Sequence, residues 1–245
     1  MKILEELLGK KEVVSPDGSR IPLHSSINKE EGEFLQRLVA AVRPVVSLEV
    51  GLAYGVSALF ICEALAKVGA QAHIVIDPSQ TGYWQGIGLR YLKEAGYGHL
   101  IKHYALESQA ALPNIVAEGT RIDFAFIDGW HTFDHALVDF FYIDKLLNVG
   151  GIVAFDDAGF PAIHKLCRFV ATNRNYKFHG QVGGTPESSK HRALNWLAKF
   201  PLIHRVLQNR FTNPDENLGF HSNSDLIAFE KITNDTRNWD SYHEF

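Results

Sequence analysis

The sequence predicts an α/β protein built on a doubly wound, mostly parallel β-sheet. Short apolar segments alternate with segments of helical periodicity between residues 45 and 155, which is the pattern of repeated strand–helix–strand units. An acidic residue directly follows three of these apolar segments, at Asp77, Asp128 and Asp156. Hydrophobic residues make up 46% of the 245-residue chain, enough for the core of a single domain.

The predicted strands and helices follow one another with short connections. An apolar strand over residues 45–50 leads through a turn with two glycines to a helix that ends near Val68. Thr132 is predicted to cap a long helix that Gly150 and Gly151 close. This helix spans residues 133–147, and the other two helices end near Gly96 or span residues 107–118. The remaining strands of this series are residues 72–76, 100–106, 122–127 and 152–155.

The strict alternation ends after residue 155. A stretch rich in Gly, Ser, Pro and Gln, residues 180–190, is predicted as a mobile loop. We predict one domain, residues 1–245, with seven strands, an N-terminal helical arm (1–43) and a late insertion (180–223). The remaining predicted elements are a helix over 161–172, strands over 176–179 and 224–229, and an amphipathic helix over 194–207.

The composition favours a cytoplasmic protein that acts on a small molecule. Lys and Arg total 24 against 28 Asp and Glu, and no basic run offers a surface for nucleic acid. The sequence has no apolar run of about 18 residues to span a membrane, and its acidic start does not resemble a signal peptide. Cys62 and Cys167 fall in helical segments, which predicts two buried thiols rather than a disulfide.

The turn after the first strand has the features of a ligand site. Gly51 and Gly55 allow the backbone to approach a ligand closely, and the next helix directs its free N–H groups at the same place. The G-x-G-x-x-G pattern of dinucleotide sites is absent. A turn of this width suits a small carboxylate better than a pyrophosphate, which favours S-adenosylmethionine over NAD. A strand–helix turn without a ligand fits these residues equally well.

Three carboxylates follow the fourth and fifth strands, at Asp128, Asp156 and Asp157. Because the carboxyl ends of parallel strands meet at one sheet edge, these side chains can converge on Mg²⁺ or Mn²⁺, which prefer oxygen ligands. His131 lies three residues beyond Asp128 and is the candidate general base for a substrate hydroxyl. The alternative is that all four are ordinary turn, cap or surface residues.

These motifs resemble the class I S-adenosylmethionine-dependent O-methyltransferases over roughly residues 45–157. The nearest patterns are the metal-dependent catechol and caffeoyl-CoA types and the macrocin and macrolide-sugar types. The resemblance implies a Rossmann-like methyltransferase fold. It also implies that the methionine moiety of the cofactor is held by the first motif, which consists of Glu49, Gly51, Gly55 and Ser57.

The resemblance extends to the rest of the site. It implies that Asp77 binds the ribose hydroxyls, that Ser108 and Gln109 contact the adenine, and that Trp130 lies against it. In the matching motifs Asp128 lies at the cofactor and binds metal, and the last strand delivers the other two metal ligands. Those two ligands are Asp156 and Asp157.

Two positions depart from the catechol type. Asp157 stands where catechol-type enzymes carry Asn, and His131 stands where they carry Lys. The sugar-type enzymes are similar to this chain at both positions. The resemblance therefore implies methylation of a hydroxyl on a sugar or another alcohol, with a polyol or a phenol as further candidates for the acceptor.

Two other functional classes remain open from the sequence. One is a nicotinamide-dependent oxidoreductase on the same fold, which the missing dinucleotide pattern disfavours. The other is a cofactor-binding module without catalysis, which the retained acidic and histidine side chains disfavour. The N-terminal arm is in either case a candidate surface for homo-oligomer formation.

Overall fold

The computed structural model describes residues 1–185 and 215–245, and its centre is a seven-stranded sheet. The strands are β1 (Glu12–Val14), β2 (Arg20–Pro22), β3 (Val46–Val50), β4 (Ala72–Ile76), β5 (Ile101–Tyr104), β6 (Ile122–Ile127), β7 (Leu147–Phe155), β8 (Tyr176–Thr185) and β9 (Ser222–Lys231). The helices are α1 (Lys2–Lys10), α2 (Lys29–Val42), α3 (Val56–Val68), α4 (Ile87–Glu94), α5 (Ser108–Ala117), α6 (Phe133–Leu146), α7 (Pro161–Asn173) and α8 (Asp215–Leu218).

The strand order of the large sheet is β5-β4-β3-β6-β7-β9-β8. The first five strands in this order pair in parallel, whereas β9 runs antiparallel to both of its neighbours. The prediction of a doubly wound, mostly parallel sheet with seven strands is confirmed. The chain moves outward from β3 to β5 and then returns to the other side of β3, so the strand order reverses between β3 and β6. In such sheets ligands bind in the crevice beyond the carboxyl ends of the strands at this point.

Alternating apolar side chains give the sheet a hydrophobic core on each face. Phe124 and Phe126 of β6 lie in the core shared with α1 to α4, whereas Ala125 and Ile127 lie in the core shared with α5 to α7. Since both faces are covered by helices, the central strands are mostly apolar, and Ser47, Glu49 and His73 are buried polar exceptions on β3 and β4. The carboxyl edge is where polar side chains gather.

The N-terminal arm differs from the all-helical prediction. It contains α1 and α2, but the antiparallel pair β1–β2 lies between them. These strands are three residues long, too short to produce a periodic pattern. Leu7, Val13 and Leu35 of the arm join the same apolar core as α3 and α4, so the arm packs against the sheet domain. The assignment of one domain stays a prediction.

The connection from α6 to β7 also differs from the prediction. The helix ends at Leu146 and the strand starts at Leu147, with Gly150 and Gly151 inside the strand. Gly150 has φ +85°, and the pairing register with β6 shifts at this place, as in a β-bulge. Thr132 precedes α6, but its hydroxyl bonds to the side chains of Asp134 and His135 instead of capping the backbone.

The predicted loop and insertion are partly replaced by regular structure. Residues 180–185 extend β8. Their backbone pairs with β9, from Gly180 opposite Ala228 to Thr185 opposite Ser222. Strand β5 is shorter than predicted and covers only Ile101–Tyr104. The predicted helix over 194–207 lies outside the described residues. Both cysteines are free and buried, as predicted. No helix in the described part of the chain is long and apolar enough to cross a membrane.

Candidate active site

The glycine turn and the loop after β6 touch at the point where the strand order reverses. Gly51 has φ +90°, and a β-carbon there would overlap the carbonyl oxygen of Asp128. A β-carbon at Gly55, with φ +81°, would lie 3.1 Å from the backbone of Gly88. Both positions therefore require glycine for conformation and for space. The turn brings the N-terminus of α3 to the edge of the crevice.

Asp77, at the end of β4, holds this turn in place. Its Oδ2 accepts hydrogen bonds from the backbone N–H groups of Leu52 (3.2 Å) and Ala53 (3.0 Å) and from Gln80 Nε2 (2.9 Å). Its Oδ1 accepts from Ser79 N at 2.7 Å. The side chain is almost fully buried, at 4% exposure. Asp77 thus has a structural function here, and its predicted contact with ribose stays a prediction.

Glu49 and Ser57 lie behind the glycine turn in a buried polar network. The Ser57 hydroxyl bonds to Glu49 Oε1, and His73 Nε2 lies 3.0 Å from Glu49 Oε2. The other ring nitrogen of His73 pairs with Ser47 Oγ at 2.9 Å. Because each polar group has a partner, the network can fix the first turn of α3 at low cost. The structure brings together these two residues of the predicted first motif.

Two of the three predicted metal ligands, Asp128 and Asp157, meet His131 beyond β6 and β7. Ligand atoms of Asp128, Asp157 and His131 all lie within 4.8 Å of one another. His131 Nε2 is 3.4 Å from Asp128 Oδ1 and 3.2 Å from Asp157 Oδ2. These distances are in the range of an ion pair, but their angles are not those of a hydrogen bond. The histidine predicted as a base is therefore also placed as a nitrogen ligand.

Asp156 completes this cluster from the buried side. It is 8% exposed, and its Oδ1 has no hydrogen-bond partner among the described residues. Burial raises its pKa well above the ordinary value, and the neighbouring charge of Asp128 raises it further. The pKa of Asp128 is raised in the same direction by burial and by the charges of Glu49 and Asp157. A cation close to these carboxylates would stabilise their ionised form and lower their pKa values.

Glu31 is a fourth carboxylate near this cluster, and the sequence reasoning missed it. It is the N3 residue of a capping box with Asn28 at the start of α2, and it is 7% exposed. Burial raises its pKa, and so do the charges of Asp225 and Asp157. The N-x-x-E spacing would have identified the helix start. It carries no signal that this helix start faces the ends of β6 and β7.

The loop that follows β7 is strained at the cluster. Asp157 has φ +50°, a left-handed conformation that is uncommon for a residue with a side chain. Three residues later, the half-exposed ring of Phe160 meets the His131 ring edge-on, with 5.6 Å between centroids. The strained turn therefore brings the Asp157 carboxylate and the Phe160 ring close to the histidine.

The residues predicted to contact adenine lie at the same sheet edge. Ser108 is half-buried and Gln109 is exposed in the first turn of α5. Trp130 is 69% exposed beyond β6, and its ring contacts His135 at a centroid distance of 6.2 Å. An exposed indole of this kind is available to a ligand. The contact with adenine itself stays a prediction.

A cluster of aromatic rings lies at the glycine turn. Tyr54, in the glycine turn, has its ring centroid 4.9 Å from that of Trp84, and its hydroxyl lies 3.2 Å from His24 Nε2. Tyr83 is 67% exposed and packs edge-on against Trp84. The cluster joins the N-terminal arm to the loop after β4. Sequence reasoning had no way to connect His24 with the other three rings.

Known methyltransferases match the part of the chain that contains most of these site residues. A family described as "Methyltransferase domain" matches residues 48–158, nearly the span over which the motifs resemble methyltransferases. Tapetum-specific methyltransferase 1 of Arabidopsis thaliana is 33% identical over 132 residues, which are 52% of this chain and 53% of that protein. A caffeoyl-CoA O-methyltransferase of Populus kitakamiensis is 29% identical over 136 residues, 54% of either chain. The chain spans about half the length of the curated relatives it matches.

A solved structure covers more of the chain. An O-methyltransferase from Bacillus cereus, determined in complex with SAH, is 19% identical and aligns with a TM-score of 0.58. The alignment covers 94% of this chain and 91% of that one. At this level of identity the likeness shows the fold. The predicted Rossmann-like methyltransferase fold is confirmed, and so is the resemblance to class I S-adenosylmethionine-dependent O-methyltransferases.

Proposed function

We propose that this protein transfers a methyl group from S-adenosylmethionine to a hydroxyl of a small molecule, with the help of a divalent cation. The observation that carries the proposal is the cluster of Asp128, Asp156, Asp157 and His131 beside the glycine turn, at the reversal of strand order. The match of residues 48–158 to a methyltransferase domain supports it.

The glycine turn is the proposed site for the methionine end of the cofactor. The N-terminus of α3 offers unpaired N–H groups to its carboxylate, and Gly51 and Gly55 keep the surface free of side chains. Ser108, Gln109 and Trp130 are proposed to bind the adenine, and Asp77 the ribose. When bound, the cofactor supplies an activated methyl group on a sulfonium. The protein has mainly to hold the acceptor oxygen in line with it.

The acidic cluster fits a hard cation. Its donors are carboxylate oxygens with one imidazole nitrogen, and the unpartnered Oδ1 of Asp156 marks a buried acceptor that needs a positive partner. None of Asp128, Asp156 and Asp157 forms a salt bridge with Lys or Arg among the described residues. We propose that these three aspartates hold Mg²⁺ or Mn²⁺, which supplies acidification of the acceptor hydroxyl.

His131 is the proposed general base. Its Nε2 faces the cluster and lies 3.2–3.4 Å from two carboxylate oxygens, which hold the ring in place. The proton of the acceptor hydroxyl would move to this nitrogen as the oxygen attacks the methyl group. If His131 is instead a ligand of the cation, its loss should abolish cation binding, and the two roles can be separated in that way.

The acceptor enters between Phe160 and the aromatic cluster of His24, Tyr54, Tyr83 and Trp84 in this proposal. The acceptor proposed here is a sugar, a polyol or a phenol. Exposed aromatic rings can stack on the ring of a phenol or on the C–H face of a sugar, while the polar centre holds the hydroxyl. Assembly through the N-terminal arm and a cytoplasmic location are also part of the proposal, and they rest on the sequence features alone.

Calorimetric titration with S-adenosylhomocysteine tests the cofactor part of the proposal. We expect saturable binding, weakened by Gly55→Val, because that side chain would meet the backbone of Gly88 and fill the turn. NADH serves as the control ligand and should not bind. Absence of S-adenosylhomocysteine binding at ~1 mM ligand, an affinity too weak for a cofactor, would refute the proposed function.

A further inference from the structure

The segment after β9 packs against α6 and α7, and the proposed reaction does not use it. We call residues 232–245 the strap, because they contain no helix or strand and contact both of these helices. Strand β9 runs antiparallel to β7, with Glu230 opposite Ile152, whereas Phe155 of β7 leads into the acidic cluster. The strap therefore starts at the end of the sheet that lies away from the crevice.

Ion pairs fix the first part of the strap to the ends of α6 and α7. Asp235 lies 3.2 Å from the guanidinium of Arg174, the residue that follows α7, and it pairs with Arg237 of the strap at 2.9 Å. The Arg174 guanidinium also pairs with the buried Asp144, near the end of α6. Solvent screens buried charges less than exposed ones. This end of the strap is therefore anchored to both helices.

The tip of the strap is held along α7. Asn173 Nδ2 donates a hydrogen bond to the carbonyl oxygen of His243 at 2.7 Å, and the His243 N–H donates to Asn173 Oδ1 at 2.8 Å. Two residues later, the Phe245 ring meets the Phe169 ring edge-on, with 5.2 Å between centroids. The ammonium of Lys165, one turn nearer the start of α7, lies 5.4 Å from the centre of the Phe245 ring.

The same Phe245 ring also contacts the start of α6. It stacks on Phe133 with the ring planes nearly parallel and 6.5 Å between centroids. Phe133 is the first residue of α6 and comes two residues after His131. The tip of the strap therefore joins α7 to the point where the chain leaves the acidic cluster and enters α6.

The two helices that the strap joins follow the two halves of the acidic cluster. Asp128 and His131 lie in the loop before α6, and Asp156 and Asp157 lie in the loop before α7. Groups that bind a ligand together must be held to within about 0.5 Å of the required geometry by the residues behind them. We propose that Phe245 is a positioning residue, which as the tip of the strap holds the two loops at the spacing that the cation site requires.

This inference rests on the proposed function, because it takes the acidic cluster to bind a divalent cation. Asp128 and Asp156 repel each other when both are ionised, and this repulsion acts to move the two loops apart. The Phe245 contacts oppose such a movement, since separating α6 from α7 would expose apolar ring surface to water. Without the ring, the metal-free site should be wider and should bind the cation more weakly.

Calorimetry tests this with two ligands, Mn²⁺ and S-adenosylhomocysteine, on the metal-free wild type and on variants of the strap. We expect Phe245→Ala to weaken Mn²⁺ binding by ~3–30-fold. Its affinity for S-adenosylhomocysteine should change much less, because the glycine turn belongs to β3 and α3. Phe245→Tyr keeps the ring and should bind Mn²⁺ nearly as the wild type does. Trp239→Ala is the matched control, because Trp239 lies in the same strap and is 98% exposed.

A second variant attacks the strap at a different attachment. Asn173→Ala removes both hydrogen bonds to His243 and leaves the three aromatic rings in place. It should weaken Mn²⁺ binding in the same direction as Phe245→Ala. Urea unfolding of each variant establishes that the protein is folded under the conditions of the titrations, so that a loss of affinity can be assigned to the site.

The other outcomes separate this inference from the proposed function. A wild type that does not bind Mn²⁺ refutes the cation part of the proposed function, and the inference fails with it. If the wild type binds Mn²⁺ and Phe245→Ala binds it equally well, only the inference is overturned. It is also overturned if Phe245→Ala weakens the binding of both ligands by the same factor, since that indicates a general loosening of the fold. A Phe245→Tyr variant as weak as Phe245→Ala would likewise contradict a role for the ring.

Discussion

The two sides of the crevice differ in how completely their polar groups are satisfied. At the ends of β3 and β4, the Asp77 carboxylate accepts four hydrogen bonds and the Glu49 carboxylate accepts from Ser57 and His73. At the ends of β6 and β7, Asp156 Oδ1 and His131 Nε2 have no hydrogen-bond partner among the described residues. On the first side the carboxylates have their partners within the protein, although Gln80 Oε1 has none among the described residues. The carboxylates of the second side would gain partners from a positively charged ligand.

The difference also appears in the cost of ionisation. Asp128 and Asp156 have raised pKa values because they are buried close to other carboxylates. Asp77 is as deeply buried as Asp156, but four hydrogen-bond donors surround it. Burial alone therefore does not distinguish the two sides. The shortage of donors around buried acids distinguishes them, and this shortage can be tested by substitution on each side.

The largest expected effect is on catalysis at the ends of β6 and β7. His131→Ala should lower kcat by roughly 10²–10⁴, because the hydroxyl proton loses its acceptor. Affinity for S-adenosylhomocysteine should change little, since the turn at Gly51 is separate from the imidazole. If His131 is the base, the wild-type rate with a sugar or phenol acceptor should rise with pH. The His131→Ala variant should lose this rise, and steady-state rates over a range of pH measure it. An unchanged rise would move the base to another group, and loss of Mn²⁺ binding would make His131 a ligand.

The next largest effect is expected on stability at the ends of β3 and β4. Gly51→Ala should lower the free energy of unfolding by about 2–4 kcal/mol, because the new methyl group overlaps the carbonyl oxygen of Asp128 at φ +90°. Gly69→Ala is the matched control, with φ +75° and no atom within 4 Å of the new carbon. Urea unfolding should show a loss of only about 1 kcal/mol there. Equal losses of stability at both glycines would show that the glycine turn and the loop after β6 are not in close contact.

Asp77→Ala is expected to have a smaller effect on stability. Removing the carboxylate leaves the N–H groups of Leu52 and Ala53 without their acceptor, which should cost about 1–3 kcal/mol in the free energy of unfolding. The loosened turn should also bind S-adenosylhomocysteine more weakly. Asp17→Ala removes an exposed turn acceptor in the β1–β2 hairpin and serves as the control. If both variants bind the ligand like the wild type, Asp77 has no part in the cofactor site.

The smallest effect is a pH dependence from Asp139, a buried carboxylate of α6 next to Gly129 in the loop after β6. Its pKa is raised to about 6 in the folded protein from an ordinary value of 3.8, so the folded state binds more protons than the unfolded state between these values. Its contribution to stability is therefore largest at low pH and is lost as pH rises through about 6. Relative to the wild type, Asp139→Asn should gain up to roughly 3 kcal/mol between pH 4 and pH 8. Urea unfolding at both pH values measures this, and no relative gain would contradict the raised pKa.

The sequence predicted the periodic parts of the fold and much of the acidic site. Apolar runs ending in Asp77, Asp128 and Asp156 identified three strands and their carboxyl ends, because buried parallel strands are apolar throughout. The pattern could not show that β7 starts directly at Leu147. Leucine fits a helix end as well as a strand start, and glycine occurs both at helix ends and in β-bulges.

Site residues that depend on packing between distant elements could not be predicted from the sequence. Glu31 belongs to a helix start that looks like any capping box, and only the packing of α2 brings it near the ends of β6 and β7. Asp139 falls at an ordinary position of an amphipathic helix, where its burial has no sequence signal. In both cases the chemistry arises from contacts between segments that are far apart in the chain.

Binding of Mn²⁺ tests most directly the claim that the side with unpartnered carboxylates holds a divalent cation. Titration of the wild type, followed by calorimetry and by thermal unfolding with and without EDTA, should show saturable binding and stabilisation of about 2.7 kcal/mol at a hundredfold excess over Kd. Asp156→Asn should unfold no earlier than the metal-free wild type and should lose the response to Mn²⁺. A wild type that neither binds Mn²⁺ nor unfolds later in its presence would contradict the account.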